Sequence, residues 1–441
     1  MKQLVALCSA IVWGSGQFIN KQKSKGLVFF ALQVIFVGIE LATGTGGVLT
    51  GAVEFQFRNA GFFSKGLWGL VTLGTVSRAQ DRKHYDHSVM LMLAGIIAAL
   101  VLIIFIAIWI YNIVDAYKTR KRIGKGEIIT SADYFKKLWE NSFEYIMITP
   151  GMLLVIFISI VPIIFAILVA FTNYNANFIP PRKLVEWTGF DTFVNIVKIK
   201  IWGSTFVQIF IWTVIWAFLA TFSSYAFGLF QALILRAKAV KFRTFWRSIF
   251  ILPWAVPGLV SMLVFKALLN QEGAFNQMLL QAGIIKEAIP FLSNVGWARF
   301  CLVVVNVWLG FPYFMALISS VITTVPQEQY EAAQIDGANS FQQFRAITLP
   351  TVLASTSPQI LMSITFNFNN FNMIYFLTGG GPANPNFQMA GSTDILISWI
   401  FKLTLDQRMY NYASALSIFI FIIVASVSAW NLLRTRAFKE S

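Results

Sequence analysis

Long apolar stretches separated by short polar loops run along this chain. A helix that crosses a bilayer needs about 20 predominantly apolar residues, and the pattern predicts about eight such helices. Each stretch is continuously apolar and does not alternate as the strands of a membrane barrel must, so the pattern predicts an all-α polytopic membrane protein. The predicted spans lie near residues 27–47, 88–114, 145–171, 205–235, 246–269, 298–323, 351–376 and 410–432.

Composition and charge agree with this prediction. Of the 441 residues, 57% are hydrophobic and only 12% are charged, and the mean hydropathy is +0.68, outside the usual range for a soluble protein. A net charge of +15 could suggest nucleic acid, but the basic residues gather in particular loops, as the positive-inside rule describes. They place the loops before the third span and after the fourth, and the C-terminus, in the cytoplasm. These residues are Lys118, Arg120, Lys121, Arg122, Lys125, Lys136, Lys137, Arg236, Lys238, Lys241, Arg243, Arg247, Arg434, Arg436 and Lys439. We therefore expect contact with membrane lipid and not with nucleic acid.

The chain divides into an N-terminal membrane region, residues 1–144, and a core, residues 145–441. Polar and glycine residues interrupt Leu4–Ile19, so we expect an interfacial or half-inserted helix there. The loop 48–87 is basic although the count of spans places it outside the cell. Its apolar, glycine-rich piece 62–77 is a candidate for a re-entrant or interfacial segment. The basic residues concerned are Arg58, Lys65, Arg78, Arg82 and Lys83.

A polar segment between two apolar spans reads EAAQIDGANSFQQFRAITLP from Glu331 onwards. Glu331–Ile335 suits a helix, and Gly337 stands where a helix commonly ends, because only glycine takes the left-handed conformation without steric cost. Ser340 and Gln343 have the spacing of a capping box, so a second helix can begin there. The closing Leu-Pro pair biases the chain out of helix before the next span.

Polar side chains inside predicted spans are costly in hydrocarbon and therefore indicate function. Two stripes have the i, i+3, i+4, i+7 spacing of one helix face. Amides donate and accept hydrogen bonds at once, as sugar hydroxyls require, and an aromatic ring packs on the apolar face of a sugar. Neither stripe carries a charge, so the stripes favour a neutral, hydroxyl-rich ligand. They are Asn306, Leu309, Gly310 and Tyr313 on the sixth span, and Ser363, Phe366, Asn367 and Asn370 on the seventh.

An alternative interpretation is that the asparagines hold helices together, at roughly 0.6 kcal/mol per contact. Four amides within six residues argue against that interpretation for all of them. Asn369 and Asn372 lie elsewhere on the helical wheel, and we expect these two to be structural.

The residues of common catalytic sites are missing. No phosphate-binding string of the form G-x-x-x-x-G-K-[ST] occurs, histidines occur only at positions 84 and 87, and the two cysteines, Cys8 and Cys301, lie in apolar surroundings. We therefore predict that the chain is not an enzyme, has no metal site and binds no cofactor itself.

The Glu331 segment resembles the signature loop of the membrane subunits of bacterial binding-protein-dependent ABC importers. In that family the loop is cytoplasmic and inserts a short helix into a cleft of the ATPase subunit. The resemblance implies a six-helix permease core in the bacterial cytoplasmic membrane, a second homologous permease subunit, a dimer of ATPase subunits that bind ATP and Mg, and an external solute-binding protein. The coupling loop would be residues 326–350, with contacts from Glu331, Ala332, Ala333, Asp336 and Gly337.

The two polar stripes are similar to those of the larger membrane subunit of maltose and maltodextrin importers, and this likeness covers roughly residues 145–440. It implies that Leu309, Gly310, Tyr313, Ser363, Phe366, Asn367 and Asn370 hold the sugar, with a further contact near Trp254. The family has Tyr where this chain has Trp254 and Ser where it has Gly258, which leaves the length or anomer of the sugar open. Short external pieces, among them residues 391–402, would contact the binding protein.

We therefore expect a permease subunit that moves maltose or maltodextrin by alternating access. An ABC permease for another oligosaccharide or for glycerol phosphate remains open, although phosphate would call for arginine near the stripes. An ion-coupled secondary transporter would call for acids at the midplane, and an enzyme acting on lipid-linked sugars for exposed acidic or metal-binding residues at a membrane face.

Overall fold

The computed structural model describes residues 2–45, 57–126, 131–237 and 240–434. Within them, six helices are long and apolar enough to cross a membrane, and a bent helix pair supplies a seventh span. The helix Tyr410–Arg434 takes the place of the eighth predicted span. The prediction of an all-α polytopic membrane protein is confirmed. Lys238, Arg436, Lys439 and the stretch 46–56, which entered the charge and loop predictions, lie outside the described residues.

The helices are numbered in chain order. They are α1 Lys2–Ile11, α2 Ser15–Ile19, α3 Lys23–Thr43, α4 Phe62–Thr72, α5 Ser88–Ile123, α6 Ser131–Val155 continued through a π turn Ile156–Ile160 and Val161–Val169, α7 Asp191–Lys198, α8 Lys200–Arg236 and α9 Arg243–Ala255. They continue with α10 Gly258–Leu268, α11 Ala274–Gln281, α12 Val295–Thr324, α13 Gln327–Ile335, α14 Ser340–Phe368, α15 Phe371–Leu377, α16 Leu396–Leu405 and α17 Tyr410–Arg434.

The chain forms two compact units, residues 1–192 with 409–418, and residues 193–408 with 419–441. In the first unit, the segment Leu4–Ile19 forms two short helices, where one interfacial or half-inserted helix was expected. Asn112 of α5 holds the turn between them, since its amide donates to the carbonyl of Ser9 (2.8 Å) and accepts from the N–H of Gly14 (3.2 Å).

The apolar piece of the early loop forms the short helix α4, which packs directly on α5. A Cβ added to Gly66 would lie 2.5 Å from that of Ala98, so glycine allows the two backbones to approach. Arg58 forms an ion pair with the buried Asp86 at 2.7 Å. Burial alone would raise the pKa of Asp86, but Arg58 and two backbone N–H groups outweigh it and hold the pKa below its ordinary value. One of the unexplained basic residues thus has a structural partner.

In the second unit, α8, α12 and α14 pack closely and carry the buried core. Gly228 on α8 lies against α12, because an added Cβ would meet Phe314 at 2.6 Å. Trp216 is fully buried in one apolar cluster, and Ile318 in another. These three helices form the frame on which the candidate site is built.

The fifth predicted span is two helices, α9 and α10, bent by 87°. Val256 is extended (φ −101°, ψ 129°) because it precedes Pro257, and a residue before proline is disfavoured in helix. The bend in the fifth span therefore lies at Val256 and Pro257, between the two helices.

The seventh span differs from its prediction at both ends. Pro350 does not interrupt the helix: a π turn, Phe344–Thr348, precedes it, and α14 continues from Ser340 to Phe368. The wider turn accommodates the ring and the missing N–H of the proline, and α6 has the same arrangement before Pro162. At the other end, α14 stops at Phe368, so the predicted continuous helix 351–376 is wrong.

The segment 391–402, expected as an external contact, is largely buried within the second unit. Asp394 forms an ion pair with Lys402 at 2.6 Å, and the carbonyl of Ser392 accepts from Arg299 at 2.9 Å. The guanidinium of Arg299 also lies 4.0 Å from the ring centre of Trp212. This segment is therefore an anchored part of the second unit.

Candidate functional site

A cavity of about 670 Å³ opens between α8, α9, α10, α12, α14 and α15 in the second unit. All eight residues proposed to bind substrate line it. None of the lining residues is charged. They are Ser224, Pro253, Trp254, Val256, Pro257, Gly258, Met262, Asn306, Leu309, Gly310, Tyr313, Phe314, Gln359, Met362, Ser363, Phe366, Asn367, Asn370, Asn372 and Met373.

Three aromatic side chains line this cavity. Trp254, Tyr313 and Phe366 are 52%, 42% and 68% exposed. The rings of Trp254 and Tyr313 lie 6.2 Å apart at 35°, and the indole N–H of Trp254 donates to the carbonyl of Leu309 at 3.3 Å. This bond explains the position of Leu309, whose backbone holds the indole beside the tyrosine. Exposed rings of this kind can pack against an apolar face of a ligand.

Asn367 lines the cavity but is only 4% exposed. Its side-chain N–H donates to Thr221 on α8 at 3.0 Å, and its carbonyl oxygen accepts from Asn370 at 3.3 Å. The indole of Trp216 donates to its backbone carbonyl at 3.1 Å. The hydrogen-bonding capacity of Asn367 is thus mostly used inside the protein, and its first role is to join α14 to α8.

Asn370 lies beyond the end of α14 and caps the next helix. Its side-chain oxygen accepts from the N–H of Met373 at 3.3 Å, so it marks the start of α15. The expectation that Ser363, Phe366, Asn367 and Asn370 form one stripe of one helix is therefore wrong in its last member. Nevertheless, the break brings Asn370 to the same cavity.

This break also overturns the expectation for Asn372. Predicted to be structural, Asn372 is exposed and lines the cavity, and its side chain makes no hydrogen bond with the described residues. Asn369, in contrast, donates at 3.4 Å to the carbonyl of Thr365 on its own helix and does not line the cavity. A helical wheel drawn through residue 372 could not reveal this, because the helix axis changes at Asn369.

Gln359 is a second residue that the sequence analysis missed. It lines the cavity four residues before Ser363, and its side-chain oxygen is buried without a hydrogen-bond partner. Extending the stripe by one turn towards the N-terminus would have identified it. Gln359 and Asn372 therefore bring to the cavity polar groups that no described residue satisfies.

Two glycines of the cavity differ in their surroundings. A Cβ on Gly310 would lie 2.9 Å from the hydroxyl of Ser224, so Gly310 allows α12 to approach α8. A Cβ on Gly258 would meet nothing within 4 Å. Gly258 begins α10, where the first N–H groups have no partner within the helix. The serine that the family has here would fit and would add a hydroxyl to the cavity.

Asn306, the remaining member of the sixth-span stripe, is buried and joins α12 to α8. Its side-chain N–H donates to the carbonyl of Ala220 at 3.1 Å and to the hydroxyl of Ser224 at 3.2 Å. The interpretation of asparagines as interhelical bonds therefore holds for Asn306.

The second candidate site is the loop around Gly337. The helix α13 ends at Ile335, and Gly337 has φ +80°. The N–H of Ala338 donates to the carbonyl of Ala333 at 2.8 Å, and the N–H of Gly337 to that of Gln334 at 3.0 Å. This pair of bonds is the Schellman motif. The predicted helix end at Gly337 is confirmed.

The predicted capping box is displaced by one residue. Asn339 is the N-cap, accepting from the N–H of Gln342 at 2.9 Å, while the side chain of Gln342 accepts from the N–H of Asn339 at 2.8 Å. Ser340 and Gln343 are therefore not the capping pair. Asparagine is as good an N-cap as serine, and a sequence with both at adjacent positions does not distinguish them.

Tyr330 fixes the base of this loop. It is buried, its hydroxyl accepts from Arg236 of α8 at 2.9 Å and bonds that of Thr348 at 3.0 Å. The Arg236 guanidinium also lies 4.3 Å from its ring centre. The loop is thus held at one end by α8 and α14.

The tip of the loop is exposed. Ile335 is 87% and Phe341 68% exposed, and Glu331, Ala332, Asp336 and Gly337 are exposed as well, with Ala333 half-buried. Large apolar side chains exposed beside charged ones at a rigid turn favour contact with another protein. The five residues predicted to contact an ATPase thus lie together on one projecting element.

Comparisons with known proteins identify the family. Residues 224–436 match the model of the binding-protein-dependent transport system inner membrane component. The galactooligosaccharides transport system permease protein of Bacillus subtilis is 40% identical over 99% of this chain and 98% of its own length. The maltodextrin transport system permease protein of Streptococcus pneumoniae serotype 4 is 36% identical over 95% of this chain and 93% of its own.

A solved structure of a bacterial ABC transporter that imports the acidic polysaccharide alginate also aligns with this chain. It has a TM-score of 0.55 at 20% identity and covers 68% of this chain and 96% of its own, a likeness that supports the fold alone. The sequence relatives extend over nearly the full length of both chains. This chain therefore belongs to the binding-protein-dependent transport system inner membrane components, as a multi-pass permease subunit of a maltose-type sugar ABC importer in the cytoplasmic membrane.

Proposed function

We propose that this subunit translocates a neutral gluco-oligosaccharide of the maltose and maltodextrin class through the cavity at Trp254, Tyr313 and Phe366. The observation that carries the proposal is a cavity that has no charged lining residue and is lined by three exposed aromatic side chains together with polar side chains. Sugars present apolar ring faces and peripheral hydroxyls, so rings and amides together complement them. The volume of the cavity, about 670 Å³, lies within the range of roughly 300–1,000 Å³ that is typical of ligand cavities.

The energy for transport comes from outside this chain in our proposal. A dimer of cytoplasmic ATPase subunits, which bind ATP and Mg, binds the exposed tip of the loop around Gly337. The contacting residues are Glu331, Ala332, Ala333, Asp336 and Gly337. A second homologous permease subunit completes the pathway, and an external sugar-binding protein delivers the sugar. The anchored base and exposed tip of the loop support this arrangement.

A galacto-oligosaccharide is the second candidate substrate. It is favoured by the similarity of 40% over nearly the whole chain to a permease named for galactooligosaccharides. Trp254 and Gly258, where the maltose-type pattern has Tyr and Ser, are the cavity positions at which a change of sugar would be recognised.

The test is ATP-driven uptake by the four-component complex reconstituted in proteoliposomes. We expect saturable uptake of maltotriose that depends on the ATPase. Phe366→Ala should reduce this uptake roughly 2- to 12-fold, because a lost aromatic contact is worth about 0.5–1.5 kcal/mol. Phe421→Ala, which changes a phenylalanine that is 71% exposed and does not line the cavity, serves as the matched control.

Uptake of a β-galactotriose in place of maltotriose would select the second candidate. Uptake without the ATPase, or equal uptake by the Phe366 and Phe421 variants, would refute the proposed route.

A further inference from the structure

A second cavity, of about 630 Å³, lies at the ends of α8 and α12, beside the start of α9 and of α13. The transport pathway proposed above does not use it. Three arginines are among its lining residues, which are Ala232, Leu235, Arg236, Arg243, Arg247, Ser319, Ile322, Thr323, Thr324, Val325, Pro326, Gln327 and Glu328. The charge rule places this end of α8 in the cytoplasm.

The three arginines carry more positive charge than their surroundings neutralise. Arg236 donates to the hydroxyl of Tyr330 at 2.9 Å, and Arg243 donates to the carbonyl of Ala237 at 3.1 Å. The side chain of Arg247 makes no hydrogen bond or ion pair with any part of the chain that the structure describes. Glu328 lines the same cavity, but none of the three arginines forms an ion pair with it. The cavity therefore keeps a net charge of about +2.

Aromatic residues neighbour the same arginines in the sequence at the start of α9. Phe242, Phe245 and Trp246 lie within a few positions of Arg243 and Arg247, and all three side chains are exposed outside the cavity lining. Aromatic rings beside cations at the end of a span are typical of the interface between lipid headgroups and acyl chains. A soluble anion would gain nothing from these rings, whereas a lipid would cover them.

We propose that this cavity binds the phosphodiester headgroup of an anionic phospholipid of the cytoplasmic leaflet. Arg243 and Arg247 bind the phosphate oxygens, for which the planar guanidinium is well suited. Phe245 and Trp246 contact the glycerol and the first acyl carbons. Since Arg236 also lines the cavity and holds Tyr330, the lipid lies next to the base of the coupling loop. This site is independent of which sugar the permease carries.

The test measures lipid retained by the purified full-length chain, using native mass spectrometry after exchange into defined mixtures of phosphatidylglycerol and phosphatidylcholine. We expect the wild type to retain phosphatidylglycerol in preference to phosphatidylcholine. The double variant Arg243→Gln and Arg247→Gln should bind phosphatidylglycerol about 30-fold more weakly, because each arginine near an anionic lipid contributes roughly a factor of five. Both side chains are exposed, so the fold should not depend on them.

The matched control is Lys118→Gln with Lys121→Gln, which removes the same charge from two exposed cations near the end of α5. It should leave the retention of phosphatidylglycerol unchanged. An equal loss in this control would show general surface attraction and would overturn the site, as would undiminished retention in the arginine variant. Displacement of the lipid by millimolar inorganic phosphate alone would assign the cavity to a soluble anion and overturn the lipid.

Discussion

At the residue scale, Asn367 and Asn372 carry the same kind of side chain but have different roles. Asn367 is buried and bonds to Thr221 and Asn370, whereas Asn372 is exposed to the cavity without a partner. A ligand can therefore bond to the amide of Asn372 without breaking a hydrogen bond within the protein. Loss of the amide of Asn367 would leave buried partners unsatisfied.

We predict that Asn372→Ala raises the KM for sugar uptake roughly 2- to 12-fold, because one hydrogen bond contributes about 0.5–1.5 kcal/mol. Asn369→Ala is the control, since that amide bonds only to its own helix. The KM of each variant is measured from uptake kinetics in the reconstituted importer. Equal KM values for the two variants would remove Asn372 from the sugar site.

Asn367→Ala should instead destabilise the subunit by about 1–3 kcal/mol, because the hydroxyl of Thr221 and the amide of Asn370 lose a buried partner. The midpoint of thermal unfolding in detergent measures this. Phe366→Ala, a change at the neighbouring exposed position, should leave the midpoint nearly unchanged. A stable Asn367→Ala protein with impaired uptake would return this residue to a direct role in binding.

The sequence was sufficient to predict which residue types meet at the cavity but not how each is used. All eight predicted residues line it. Helical spacing and the cost of polar groups in hydrocarbon identified the two stripes, whereas Trp254 was implied only by the resemblance to maltose-type importers. The partners of Asn367 and Asn306 are on α8, more than 80 positions away in the chain. Pairings at such a distance depend on how the helices pack, which local spacing does not contain.

At the scale of elements, α13 and α14 show where local rules hold and where they fail. Gly337 predicted the helix end because the preference for glycine in a left-handed backbone conformation depends only on the missing Cβ of that residue. Proline at position 350 did not end a helix, because the π turn before it accommodates the ring. Nothing in the sequence near Pro350 distinguishes a π turn from a break.

Gly337→Val should uncouple ATP hydrolysis from sugar in the assembled importer. A β-branched residue at φ +80° is strained by more than the roughly 1–2 kcal/mol of an ordinary residue, so the turn between α13 and α14 would rearrange. Sugar-stimulated ATPase activity should fall to the unstimulated level while the external binding protein still binds sugar.

Gly283→Val is the matched control for this variant. Gly283 also has positive φ (+67°) and open space around its Cα, but it lies in the connection between α11 and α12. Coupling should survive there. If both valine variants uncouple, or neither does, the loop around Gly337 is not the point at which force enters.

At the scale of the whole molecule, the uncharged cavity sets the class of solute. We predict that a disaccharide containing a uronic acid is transported about 100-fold less efficiently than its neutral counterpart, from the roughly 3 kcal/mol cost of an unpaired charge within a membrane. Competition between the two sugars for uptake by the reconstituted importer measures the ratio. Equal transport would require a cation that the described cavity lacks.

One helix, α8, carries contacts of both candidate sites. Ser224 borders the cavity, and Arg236, twelve residues further along the same helix and so about 18 Å away, holds Tyr330. A continuous helix of this length behaves nearly as a rod, so its two ends cannot shift independently. If a protein that binds the loop changes the affinity of the cavity for solute, thermodynamic reciprocity requires that solute change the affinity of the loop for that protein by the same factor.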